Sequence, residues 1–136
     1  MALFIDKFFK SGLKNTLLLK NDTQLSRNGP WVAIPRETEI DRFFLGDFNS
    51  AEYCFSIDYN TEHKEIIKCL VVASLSQASI VVYGRANLGE NLVSLAATVN
   101  DSYVSIKATP TEGFENSKLQ MNTFYFQNQN LLLQIQ

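Results

Sequence analysis

The sequence predicts an all-β protein, an antiparallel β-sandwich of about seven strands with an N-terminal arm that is extended or partly helical. Short runs of alternating apolar and polar residues fill the chain from residue 38 onward. Turn-forming residues separate these runs about every ten residues, and no long helical pattern interrupts them. We divide the 136-residue chain into an arm (1–37), a sandwich domain (38–127) and a tail (128–136).

The N-terminal arm carries a concentrated apolar block. Its apolar residues fall near helical spacing, lysines take the other side, and Gly12 weakens a helix. The pattern leaves three alternatives open: a strap packed over the sandwich, an arm that docks on a neighbouring subunit, and a basic amphipathic helix on a membrane surface. The residues predicted to contact a neighbour are Leu3, Phe4, Ile5, Phe8, Phe9 and Leu13.

The second half of the arm is a polar stretch (21–28) followed by a turn at Gly29-Pro30. Trp31 to Ile34 then forms a short extended piece, which Pro35 ends because proline cannot donate to a sheet ladder.

Seven strands follow, each bounded by turn signals. Gly46-Asp47 closes the first strand, Gly84 ends the fourth, and Asn100-Asp101 predicts a tight hairpin because both residues tolerate left-handed dihedrals. The predicted strands are Thr38–Leu45, Ala51–Tyr59, Glu65–Ala73, Ser79–Tyr83, Leu92–Val99, Ser102–Thr109 and Lys118–Phe126.

Two cysteines fall on adjacent predicted strands. The alternation places Cys69 toward the core and Cys54 away from it. Side chains on opposite faces cannot meet the geometry of a disulfide, so we expect two free thiols.

Composition and charge exclude several classes of function. The formal net charge is -2, so no global basic field favours nucleic acid. No apolar stretch is long enough to span a bilayer, and the first residues lack the pattern of a signal peptide, so we expect synthesis and retention in a cytosol. Charged residues make up only 19%, which favours a protein that buries much of its surface on partners.

The sequence contains almost no motif that is typical of a catalytic site. His63 is the single histidine, in a charged connection typical of a solvated loop, and no nucleophile-elbow motif accompanies it. One histidine and two cysteines on opposite faces cannot form a zinc centre without carboxylates, and the glycines are too scattered to cradle phosphate. Spacing alone leaves open a carboxylate pair of the glycosidase type, but nothing singles one out. We therefore expect no enzyme, no metal and no cofactor.

Aromatic residues cluster in two stretches and have two interpretations. Most would fill the core of a sandwich. Adjacent residues of one strand, however, point to opposite faces, so a strand aromatic on both faces is either central or covered by a partner. The aromatic residues predicted at a subunit interface are Trp31, Phe43, Phe44, Phe124 and Phe126.

The stretch from Phe48 to Phe126 resembles a β-domain of virion structural proteins of tailed phages that infect cyanobacteria and other marine bacteria. The resemblance rests on Phe48-Asn-Ser-Ala-Glu-Tyr53, on Ile80-Val-Val-Tyr-Gly84 and on Val104-Ser-Ile-Lys-Ala-Thr-Pro110. It implies a sandwich module of a tail, neck, baseplate or fibre protein. Two features depart from the family: the module fills nearly the whole chain, and Ser76-Gln77 replaces the usual aspartate and glycine of the middle hairpin.

Together these observations predict a non-enzymatic virion component that assembles with other virion proteins as a homo-oligomer, ring or array. The arm and the sandwich edges would make the contacts. The predicted location is the virion, after synthesis in the host cytoplasm, without nucleic acid or membrane as a partner. The alternatives are a capsid decoration protein on the same fold and a carbohydrate-binding module that contacts polysaccharide of the host surface.

Overall fold

The computed structural model describes residues 16–18 and 24–128. These residues form strands and connections with no helix, which confirms the predicted all-β class. The described part of the chain therefore offers no helix that could cross a membrane. The apolar block from Leu3 to Leu13 lies outside the described residues.

Ten strands make up the described chain, and all their pairings are antiparallel. They are β1 (Thr16–Leu18), β2 (Gln24–Asn28), β3 (Val32–Ile34), β4 (Thr38–Phe44), β5 (Phe48–Asp58), β6 (Lys64–Ala73), β7 (Ala78–Asn87), β8 (Val93–Asn100), β9 (Tyr103–Pro110) and β10 (Ser117–Gln127).

The strands form two sheets packed as a sandwich. The larger sheet has the order β1-β2-β10-β5-β6-β7, with β3 pairing the start of β10, and the smaller sheet has the order β4-β9-β8. The two longest strands, β5 and β10, lie side by side in the larger sheet, from Lys118 opposite Asp58 to Phe126 opposite Ser50. Their strict alternation of side chains gives this sheet one buried and one exposed face.

The core lies between the two sheets and is rich in aromatic side chains. Tyr53 stacks on Phe55, and the ring of Tyr125 contacts Phe43, Phe48 and Tyr53. All five rings are at most 2% exposed. Burial of each large apolar side chain stabilises the fold by about 1.5–3 kcal/mol, so this cluster is a main source of stability.

The inner and outer faces of β5 and β6 confirm the predicted positions of the cysteines. Cys69 is buried in the core, Cys54 is partly exposed on the outer face, and both are free thiols. Cys54 is paired in register with Lys68, and Cys69 with Tyr53.

The fourth predicted strand does not end at Gly84. Strand β7 continues to Asn87, and the register shifts between Lys68 and Cys69, so that Tyr83 is an extra residue in a β-bulge. The glycine marks this irregularity and not the end of the strand.

The predicted tight hairpin between β8 and β9 forms one residue later than expected. Asn100 pairs with Tyr103, so Asp101 and Ser102 make the turn. Their φ angles of 54° and 67° are those of a type I′ turn, which matches the twist of the flanking strands.

Part of the predicted arm belongs to the larger sheet. Strand β2, within the polar stretch 21–28, pairs with Asn122 to Phe126 of β10, and β3 pairs with Ser117 to Leu119. Gly29 also donates a backbone hydrogen bond to Met121 at 2.8 Å. The division of the chain into arm, domain and tail stays a prediction.

Candidate functional site

The exposed face of the larger sheet carries several exposed large apolar side chains, among them Leu70, Val72, Val81 and Phe126. Its side chains come from alternate positions of β5, β6, β7 and β10, and the register aligns them in rows across the sheet. One row runs from Phe124 through Glu52 and Leu70 to Val81, and the next from Phe126 through Ser50 and Val72 to Ser79. The two rows bring together residues that are up to about 75 positions apart in sequence.

One end of this face is an apolar patch, made of Leu70, Val72, Val81 and Phe126. These side chains are 49%, 56%, 56% and 40% exposed. They surround the small residues Ser50 and Ser79, which leave a shallow cavity of about 430 Å³ between them. A contiguous apolar surface of this kind is typical of a protein contact.

A polar band crosses the middle of the same face. The hydroxyl of Tyr83, the bulged residue, donates to Glu52 Oε2 at 2.6 Å. This hydrogen bond stabilises the protonated hydroxyl and raises the pKa of Tyr83 to about 12, and the negative charge of Glu52 adds to the effect. Lys68 and Cys54 continue the band beneath it.

The other end of the face holds an aromatic and polar cavity of about 420 Å³, which we call the Trp31 cavity. Trp31 and Tyr59 are 47% and 39% exposed. Lys118 and Asp58 are directly opposed in register, and Asp58 Oδ2 accepts from Lys64 Nζ at 3.0 Å. The lining residues are Trp31, Asp58, Tyr59, Asn116 and Lys118.

The ring of Tyr59 is fixed by neighbouring rings. It meets Phe114 edge-on with centroids 5.1 Å apart and His63 at 6.2 Å. His63 in turn lies 5.1 Å from Phe114, and its Nδ1 is 2.9 Å from Asn60 Oδ1. The histidine therefore has a structural place in the loop after β5, with aromatic and amide groups as its described partners.

Buried polar groups of the sandwich serve to join strands. Asp41 of β4, in the smaller sheet, accepts hydrogen bonds from the hydroxyls of Tyr53 (2.7 Å) and Tyr125 (2.5 Å) of the larger sheet. Burial, followed by the nearby charge of Asp41, raises the pKa of Tyr53 well above its usual value. This cluster holds the two sheets together.

A second buried carboxylate connects β6, β7 and the start of β8. Glu65 accepts from Arg85 Nη1 at 2.6 Å and from Asn87 Nδ2 at 3.1 Å, and its other oxygen accepts from the backbone N–H of Leu92 at 2.9 Å. Since each oxygen accepts at least one hydrogen bond, these bonds offset the cost of burying the carboxylate, which links the strands.

The residues predicted at an interface lie in different environments. Trp31 and Phe126 are exposed on the outer face, and Phe124 is half-buried between Glu52 and β2 in register. Phe44 is half-buried against Tyr103, with ring centroids 5.2 Å apart. Phe43, the last of the predicted interface residues that the structure describes, packs against Tyr125 in the core. It is 2% exposed, so in this structure it has no surface to offer a partner.

Sequence reasoning missed Leu70, Val72, Val81 and Tyr59. The signal for the first two was present, because the strand after residue 64 is apolar at even as well as odd positions. The alternation of Tyr53, Phe55 and Ile57 places Tyr59 on the inward face as well, but β5 ends at Asp58 and Tyr59 is 39% exposed.

No set of three or more His, Cys, Asp or Glu side chains in the described chain could hold a metal ion. The expectation of a non-enzyme stays a prediction.

No protein-family model matches the chain, and no curated protein matches it. Among solved structures it is similar to phage tailspike proteins. These are the tailspike of the Acinetobacter phage vB_ApiP_P1 (15% identity, TM-score 0.41), that of the Acinetobacter baumannii phage AM24 (6%, 0.39) and that of the Acinetobacter baumannii phage Fri1, a capsular polysaccharide depolymerase (9%, 0.44).

The matches cover 76%, 74% and 93% of this chain, but only 21%, 26% and 22% of the respective tailspikes. The chain thus spans about a quarter or less of their length.

Proposed function

We propose that this protein is a non-enzymatic structural subunit of a tailed-phage virion, in a tail, neck, baseplate or fibre, and that it assembles with copies of itself or with other virion proteins. One observation of the structure supports the proposal most: the apolar patch on the larger sheet. The stretch from Phe48 to Phe126 resembles sandwich modules of virion proteins, and this resemblance suggests a virion as the assembly.

The apolar patch suits a contact between subunits for a physical reason. Leu70, Val72 and Val81 project from two adjacent strands and Phe126 from a third, so together they form a continuous surface. Burial of such side chains removes apolar area from water at about 25 cal/mol per Å², which favours association. The rigid sheet beneath them means that little ordering opposes the contact.

A charged substitution within the patch tests this role. We expect the full chain to be oligomeric by size exclusion with light scattering, and Leu70→Lys with Val81→Lys to shift it to the monomer. Both side chains point to solvent, so the fold should survive, and unchanged circular dichroism checks this. Gln120→Lys, on the same face but outside the patch, is the matched control and should keep the wild-type mass.

A stable monomer with wild-type sequence at high concentration, unaffected by these changes, would contradict self-assembly through the patch. The alternative of a capsid decoration protein differs in copy number. Quantitative mass spectrometry of purified virions distinguishes the two, because a decoration protein is present in many more copies than a component of one ring.

A further inference from the structure

We infer that the Trp31 cavity binds a pyranose unit of a polysaccharide. The inference uses only the chemistry of this cavity and does not depend on the proposed virion role. It concerns the end of the larger sheet opposite to the apolar patch.

Two exposed aromatic rings form the apolar part of the site. Trp31 and Tyr59 expose nearly half and about two-fifths of their surface beside one cavity. One face of a pyranose ring presents C–H groups with partial positive charge, and the face of an aromatic ring is negative. A sugar therefore stacks on such a ring, whereas its hydroxyl groups stay at the edge and need polar partners.

Three polar side chains of the same lining supply those partners. Asp58 offers carboxylate oxygens as acceptors, Lys118 an ammonium donor, and Asn116 an amide that both donates and accepts. Sugar hydroxyls also donate and accept, so each finds a complementary group here. A concave site with aromatic walls and a few convergent polar groups is the usual form of a small-ligand site.

The site is held in place before any ligand arrives. Lys64 Nζ donates to Asp58 Oδ2 at 3.0 Å, and Phe114 packs edge-on against the ring of Tyr59. The backbone N–H of Asn116, a residue with φ of 68°, donates to Ile34 at 2.9 Å. Preorganised groups lose little entropy on binding. This favours the binding of a ligand that makes few contacts, such as a single sugar unit.

The lining favours a sugar over a protein partner. The apolar patch at the other end of the sheet is lined by aliphatic side chains, Phe126 and two serines and has no charged group, whereas the Trp31 cavity combines two aromatic rings with three hydrogen-bonding side chains. A second shallow cavity, of about 390 Å³, shares Asp58 and extends toward Ile66 and Leu88. This leaves room for a neighbouring unit of a chain.

The test uses Trp31 itself, because it is the single tryptophan of the sequence. The full-length protein is titrated with maltohexaose, chitin hexasaccharide and oligogalacturonate, and tryptophan fluorescence is recorded. We expect at least one of these to change the emission in a saturable way. Tyr59→Ala, which removes one stacking surface, should weaken binding by about tenfold, and Lys118→Gln should weaken it in a variant whose fold is not at risk.

Tyr83→Ala is the matched control, since Tyr83 is 49% exposed on the same face but lies outside the cavity, and it should bind as the wild type does. Saturation-transfer NMR on Trp31→Ala gives an independent readout and should show loss of the signal. The inference is overturned if no oligosaccharide produces a response by either method, or if binding persists in both Tyr59→Ala and Lys118→Gln. It is also overturned if Trp31→Ala lowers the oligomeric mass while no sugar binds, because the surface is then a protein contact.

Discussion

At the scale of single residues, the buried carboxylate of Asp41 is the most informative. It lies on the smaller sheet, yet both of its tyrosine donors belong to the larger one. A buried carboxylate is costly without donors, so the two hydroxyls offset that cost and fix the sheets relative to each other. The contribution of each hydrogen bond to the free energy of unfolding can be measured by removing one tyrosine hydroxyl at a time.

Tyr125→Phe should lower the free energy of unfolding by about 1.5–3 kcal/mol, because the variant removes a hydrogen bond to a charged group and keeps the aromatic packing. Urea unfolding measures the change. Tyr53→Phe is the matched variant at the other donor. The double variant removes both hydroxyls from Asp41, and its loss of unfolding free energy should exceed the sum of the losses in the two single variants. A loss below about 0.5 kcal/mol in both single variants would contradict a linking role.

A second prediction at this scale concerns alkaline pH. Burial raises the pKa of Cys69 from 9.0 to about 12. A raised pKa in the folded state means that the stability is complete below the pKa of the unfolded thiol and falls as the pH rises from about 9 toward 12. Tyr53, whose pKa is also raised by burial, adds to this loss above about pH 10.

The midpoint of urea unfolding should therefore fall between about pH 8 and about pH 10, and Cys69→Ala should reduce the size of that fall. The variant is expected to be less stable at neutral pH because it loses a buried sulfur, so the quantity compared is the difference between the two pH values. An equal fall in both proteins would assign the effect to other groups.

At the scale of elements, the β8–β9 hairpin has a turn that its sequence does not fully suit. Ser102 adopts φ of 67°, a left-handed conformation that costs a residue with a Cβ about 1 kcal/mol. Ser102→Gly should therefore stabilise the protein by about 0.5–1 kcal/mol, measured by thermal or urea unfolding. Ser102→Ala keeps the strain and is the control; an equal gain in both variants would show that the turn is not the cause.

The elements also show what the sequence could predict. The strands β4 to β10 were predicted within a few residues because their alternation is local, and the same alternation placed Cys54 and Cys69 on opposite faces. The bulge at Tyr83 was missed because it depends on the register of β7 against β6. Strand β2 was missed because its pairing with β10 joins segments about a hundred residues apart, and its polar sequence shows no alternation.

At the scale of the whole molecule, one sheet face carries two different chemistries. The apolar patch and the Trp31 cavity lie at opposite ends of the strands, separated by the band of Glu52, Lys68 and Tyr83. The sequence singled out Trp31 and Phe126 as separate residues, but it could not assemble either surface, since each combines side chains of three or more segments that only the fold brings together. A subunit that associates through one end keeps the other end open to a ligand.

The final prediction concerns the boundary between arm and domain at residue 38. A chain that begins at Thr38 lacks β2 and β3, so most of one edge of β10 loses its backbone partners. We expect this chain to unfold at lower urea concentration than the full protein and to aggregate, because an unpaired edge strand is a template for association. A chain that begins at Thr16 keeps these strands and is the matched control.

If the chain from Thr38 is as stable and monomeric as the control, the sandwich is independent of β2 and β3, and the predicted boundary stands. If only the chain from Thr38 is destabilised, the domain begins before Thr38, and loss of association in the chain from Thr16 then reports on the residues before Thr16.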